Sequence, residues 1–129
     1  MSRVSYKAQL WPDVVNSYRR LVVTYEMLFE PMLTLVEEIA ASPYASYLYG
    51  NTSMWNVLVM QTPEYDPDGE ILRITYNPSQ REFTFELQET TSTLYKRWNR
   101  KCSTDDAFRT FERFLQLKKW FVGQEKQSL

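Results

Sequence analysis

An α+β fold is predicted, and three observations predict it. A helical apolar pattern runs through residues 14–39, apolar segments between residues 53 and 88 switch to a period of two, and a second amphipathic helix follows residue 103. The length of 129 residues is one domain's worth, so 1–129 is read as a single α+β domain with 1–10 and 123–129 as poorly ordered tails. An apolar fraction of 43%, with 16% aromatic residues, is enough to fill a packed core, and a soluble globular chain is expected.

In the first segment Val14, Tyr18, Leu21, Tyr25, Leu28, Met32, Leu35 and Ile39 are separated by alternating steps of four and three. Val15, Val22, Phe29 and Val36 repeat every seven beside them, so a wide apolar stripe faces a core or a partner. Pro12-Asp13 suits the opening turn, and Ser42-Pro43 closes the segment because a residue before proline avoids the helical region. Pro31 falls inside the pattern without disturbing its register. The reading is a long N-terminal helix, kinked at Pro31 or divided there into two abutting helices.

Ser53 to Met60 is apolar at both alternating sets of positions, as in a strand covered on both sides. Asp66-Pro67-Asp68-Gly69 is turn chemistry, Ile71 to Tyr76 a second strand, and Asn77-Pro78-Ser79-Gln80 the next turn. Phe83, Phe85 and Leu87 alternate with Glu82, Thr84, Glu86 and Gln88, which gives the third strand one buried and one wet face. Thr91 to Trp98 is read as a fourth, so the meander has three to four strands. Ser103-Thr104-Asp105-Asp106 then starts a helix over Ala107 to Val122, with hydroxyls to cap the free amides and acids at the positive end of the dipole. Phe83, Phe85, Phe108, Phe111 and Phe114, with Tyr18 and Tyr25, are the expected core cluster.

Composition removes several chemistries. There is no histidine, the usual general base near neutral pH and a frequent metal ligand, so Ser-His-Asp, Cys-His and histidine-metal sites are excluded. One cysteine cannot form an intrachain disulfide or a four-thiolate site, and three glycines cannot assemble either familiar phosphate-binding loop. No signal peptide or membrane span is read. The expectation is a cytoplasmic protein that is not an enzyme and carries no metal and no cofactor. Asp66-Pro67-Asp68-Gly69-Glu70 starts like a calcium loop, but positions 9 and 12 hold Ile74 and Asn77, so a plain hairpin turn is preferred. Glu37-Glu38 and the row Glu82, Glu86 and Glu89 are read as solvated carboxylates rather than acid–base pairs.

The net charge of −1 hides an asymmetry. Residues 1–90 hold 6 Lys/Arg against 12 Asp/Glu, whereas residues 91–129 hold 9 against 4. Within that basic end, Tyr95-Lys96-Arg97-Trp98-Asn99-Arg100-Lys101 interleaves cations with aromatics, and Arg109, Arg113, Gln116 and Trp120 fall along the polar face of the last helix. Trp and Arg are the residue types enriched in binding hot spots. The candidate surface is therefore Arg97, Trp98, Arg100, Lys101, Arg109, Arg113 and Trp120, and the function read from it is a small adaptor, inhibitor or assembly factor that binds an acidic protein partner. Two alternatives stand beside it. Single-stranded nucleic acid would use the same surface, although a sequence pI near 5.5 argues against it. An apolar ligand would instead occupy a pocket between the sheet and the long helix, with Trp55 or Tyr49 as its polar tip.

Cys102, beside Arg100 and Lys101 and ahead of a helix start, has the surroundings of an activated thiolate, but a packed, incidental cysteine is the preferred reading. Val23, Met27 and Leu33 lie off the main stripe of the first helix, which leaves room for a homodimer contact there.

Overall fold

The computed structural model describes residues 10–25, 29–53, 56–62, 70–89 and 99–120. The fourth-strand segment 91–98, the turn at 66–69, Met27, Trp55 and nearly all of both expected tails lie outside these residues, as do Arg97 and Trp98.

The fold is α+β: α1 (Trp11–Tyr25), α2 (Glu30–Ala41), β1 (Tyr49–Ser53), β2 (Asn56–Met60), β3 (Glu70–Asn77), β4 (Glu82–Glu89), β5 (Asn99–Ser103) and α3 (Ala107–Lys118). The five strands form one antiparallel sheet in chain order, β1-β2-β3-β4-β5. The described sheet thus has one strand more than the upper count read from sequence.

Of the two readings of the first segment, a kinked helix and two abutting helices, the second is the one observed. Pro31 lies in the first turn of α2, where its missing N–H would have had no intrahelical partner anyway, so proline opens α2 instead of kinking a longer helix. The two helices pack side by side, and an exposed pair between Arg19 and Glu37 (3.3 Å) links them. The four-three spacing looked continuous because both helices turn their stripes to the same core. Val14, Val15 and Tyr18 from α1 and Met32, Leu35, Val36 and Ile39 from α2 are all buried in it.

Register shows which sheet face they cover. Val57 and Val59 stand opposite Ile74 and Leu72, which in turn stand opposite Phe85 and Leu87, and Tyr76 faces Phe83. All of these belong to the core shared with α1, α2 and α3, so the helices lie on one face. Phe83, Phe85, Phe111, Phe114 and Tyr18 form the centre as expected, with Phe108 half-buried against it, while the expected Tyr25 side chain lies outside those described. On the opposite face Leu58, Met60 and Ile71 form a second, smaller buried cluster, and β2 is buried on both sides as its sequence implied. Arg73 shares that face, between Leu58 and Glu86, and its buried Nε makes no hydrogen bond among the described residues.

β1 was missed from sequence. Gly50 is the reason it can form there: the Trp11 ring lies so close that a Cβ on residue 50 would sit 2.9 Å from it, and the Trp11 indole N–H donates to the Leu48 carbonyl at 3.0 Å. Between β3 and β4 the expected Asn77 turn is present. Asn77 Oδ1 accepts from the Ser79 amide and hydroxyl and the Gln80 amide, and Arg81 completes the turn in the left-handed region at φ 51°.

Candidate functional site

β5 is the last strand of the described sheet, and α3 packs against it after a 3₁₀ turn over Thr104–Asp106. Side chains alternate across a strand, so Arg100 and Cys102, opposite Phe85 and Phe83, point to the helix side, while Lys101, opposite Thr84, points away. On α3, Arg109 and Arg113 are one helical turn apart and exposed, while Ala107, Phe111, Phe114 and Leu115 are buried beneath.

Strand end and helix flank together enclose a cleft of about 280 Å³, lined by Arg100, Lys101, Cys102, Asp106, Arg109, Thr110 and Arg113. Four cationic residues thus line a cleft that holds one carboxylate, with Arg100 on the helix side of β5 and the Lys101 side chain starting from the opposite sheet face. That carboxylate is already engaged, since Asp106 pairs with Arg109 at 3.3 Å and accepts from the Ser103 hydroxyl at 3.4 Å. Lys101 and Arg113 form no ion pair among the described residues. The cleft therefore keeps a net positive field that an anionic group entering it would neutralise. Of the seven residues singled out from sequence, four line this cleft: Arg100, Lys101, Arg109 and Arg113.

Trp120 does not join them, and its expected place on the polar face is corrected. It is 6% exposed, stacks edge-on against Phe114 (4.9 Å between centroids, 82°), and donates its indole N–H to Glu70 Oε1 at 3.1 Å. The helix ends at Lys118, two residues before Trp120, instead of running to Val122. Lys119 adopts a left-handed conformation (φ 57°), its amide reaches the Gln116 carbonyl, and the Trp120 amide reaches the Leu115 carbonyl at 3.1 Å. This is a Schellman termination, which reverses the chain and folds the following apolar side chain back onto the helix. A helical wheel extended past Lys118 therefore puts the indole on the wrong side.

The thiol of Cys102 is not activated. Burial pushes its pKa up, the Thr110 hydroxyl bond acts in the opposite direction, and the fields of Asp106 and Glu82 add to the rise. Half-buried and packed against the core, it is a small apolar filler at the floor of the cleft.

The apolar-pocket reading is also corrected in its details. Tyr49 pairs with Met60 and so lies on the sheet face turned away from the helices. A second concavity, of about 500 Å³, does border α2, but it opens beside the β3–β4 turn and the 3₁₀ segment. Its polar lining includes Glu30, Thr34 and Glu38, one helical turn apart along one face of α2, with Tyr76, Arg81 and Asp105. None of these was singled out from sequence as a binding residue; the four-residue spacing of Glu30, Thr34 and Glu38 was the available signal.

No helix among the described residues is long and apolar enough to cross a membrane, and no three His, Cys, Asp or Glu side chains among them are placed to hold a metal ion. Val23 is 82% exposed on α1, whereas Leu33 is half-buried against the core, so the surplus apolar surface suggested for a homodimer contact is reduced. Comparison with protein-family models, with curated proteins and with solved structures finds no match.

Proposed function

We propose that this chain is a non-enzymatic interaction domain that binds an acidic protein partner through the cleft between β5 and α3. The observation that carries the reading is the convergence of Arg100, Lys101, Arg109 and Arg113 from two elements on one concavity whose single carboxylate is already paired. Distributed cations steer an acidic surface toward the cleft and fix its orientation, and guanidinium groups can hold carboxylates through two parallel hydrogen bonds. A cleft of about 280 Å³ takes side chains, not a large ligand, which fits carboxylates projecting from a folded partner or a peptide. With Trp120 in the core, charge does more of the recognition and aromatic burial less than the sequence suggested.

The test is differential capture from lysate of the source cells, run with and without nuclease treatment. Wild type is compared with an Arg100→Glu/Arg113→Glu variant and with an Arg19→Glu/Arg20→Glu variant, which makes the same charge change on α1. A protein retained by wild type and the α1 variant but lost from the cleft variant supports the proposal. Capture that is the same for all three, or that disappears with nuclease treatment, refutes it; the latter outcome would favour single-stranded nucleic acid.

A further inference from the structure

Arg100, Lys101 and Cys102 are consecutive in β5, and all three line the basic cleft. The cleft does not extend over β4. Phe85 and Phe83, the neighbours of Arg100 and Cys102, are fully buried under the helices, and no described β4 residue lines it. It therefore opens in the other direction, toward the outer edge of β5. Lys101 starts from the opposite sheet face, so it lines the same cleft only through the strand's backbone or by bending round that edge.

The edge has no neighbouring strand among the described residues: β5 pairs with β4 alone, and all of β5 except Cys102 is exposed. The outward N–H and C=O groups of an edge strand are a template for a further strand. Proteins blunt such edges with charge, and here the charge is of one sign. Arg100, Lys101, Arg109 and Arg113 repel a basic strand, or this same edge on a second copy, and attract an acidic one.

We propose that the acidic partner contributes an extended segment that joins the sheet as a further strand along β5, with carboxylates at every second residue. The proposal rests on the basic cleft being the binding surface and adds how the partner is held. Main-chain hydrogen bonds to β5 supply affinity, and alternate side chains supply specificity. Carboxylates on the helix side of the added strand meet Arg100 and the flank of α3, while the residues between them turn to the face of Lys101. Same-side residues recur about every 6.8 Å, close to the rise of about 6 Å between Arg109 and Arg113, so a Glu-x-Glu pair serves both arginines. Asp106, the one carboxylate lining the cleft, is already held by Arg109 and Ser103.

The test is an NMR titration of the full chain with acetyl-Thr-Glu-Val-Glu-Val-Glu-Thr-amide and its isomer acetyl-Val-Thr-Glu-Glu-Glu-Thr-Val-amide. Two N-methylated forms of the first peptide complete the set, one methylated at both valine amides and the other at two glutamate amides. Alternate residues of an extended chain turn their N–H groups to opposite edges, so one methylated form loses its bonds to β5 and the other keeps them. The alternating peptide is expected to bind, slowing hydrogen exchange at alternate amides of Asn99–Ser103. Methylation on the pairing edge should weaken it roughly tenfold, and methylation on the other edge less than about twofold. The isomer should bind roughly threefold more weakly than the alternating peptide. If the alternating peptide and both methylated forms bind equally and no β5 amide gains protection, strand addition is overturned while the cleft stands as a surface for acidic side chains. If no peptide shifts the cleft residues up to about 5 mM, both readings fail.

Discussion

Replacing Trp120 by alanine separates a core indole from a surface one, and the size of the effect follows from its contacts. The residue is 94% buried against Phe114, and truncating a buried tryptophan typically costs about 3–5 kcal/mol. Its hydrogen bond to Glu70 adds less than a fully buried one would, since the Glu70 side chain is 27% exposed and keeps Lys118 at 2.7 Å after the indole is gone. A total near 4 kcal/mol is expected, a large share of the ~5–15 kcal/mol that holds a typical domain. At a urea dependence of about 2 kcal/mol/M, the midpoint of unfolding falls by about 2 M with unchanged slope. Trp120→Phe keeps an aromatic ring against Phe114 and loses the bond to Glu70, so its cost stays near ~1 kcal/mol. A loss below about 1 kcal/mol for Trp120→Ala would show that the indole packs on nothing and that the chain reversal at Lys119 is wrong.

Three further outcomes test other parts of the account. Lys119→Gly removes the strain of a left-handed non-glycine residue and should raise stability by about 1 kcal/mol, read as a thermal midpoint a few degrees higher; a lower midpoint would contradict the Schellman termination. Gly50→Ala drives a methyl group into the Trp11 ring and should cost about 1–3 kcal/mol in urea unfolding, whereas a neutral result would mean that Trp11 is not fixed over β1. Stability should decline at alkaline pH. Burial raises the Tyr18 pKa well above the ordinary tyrosine value of 10, and burial with the Glu112 hydrogen bond pushes Tyr44 up to about 12. Both phenols are neutral in the folded chain and ionise more easily once unfolded, so this stability is fully present below pH 10 and is lost as pH rises through the folded values. Urea midpoints that stay level from pH 9 to 12 would contradict it.

The legible parts of the fold were those in which each residue follows its own element's period. In β4, Phe83, Phe85 and Leu87 alternate with polar neighbours, and all three are buried toward the helices. In α3, Ala107, Phe111, Phe114 and Leu115 are the buried set, as the wheel required. Illegible elements lack such a period. β1 reads Tyr-Gly-Asn-Thr-Ser, and it pairs with β2 while the Trp11 ring fills the space over Gly50, a contact across thirty-nine residues that no local pattern encodes. β5 reads Asn-Arg-Lys-Cys-Ser, too polar to announce a strand, although all five of its residues pair with β4. At the end of α3 the left-handed position holds lysine instead of glycine, so the usual stop signal was missing and Trp120 was read one turn too far.

The basic cleft was half legible for the same reason. Arg109 and Arg113 declared themselves by helical spacing, but only the register of β5 against Phe83 and Phe85 shows that Arg100 turns toward α3. The concavity beside α2 draws on three separate elements, α2, the β3–β4 turn and the 3₁₀ segment, and only topology brings them together.

The most direct test of the basic cleft as the binding surface is amide chemical-shift mapping of the intact chain during titration with a short, unphosphorylated glutamate-rich peptide. The account predicts that the largest changes fall on Arg100, Lys101, Arg109, Thr110 and Arg113, and that the Arg100→Glu/Arg113→Glu variant abolishes them while the Arg19→Glu/Arg20→Glu variant does not. Changes centred elsewhere, or equal in both variants, would contradict it.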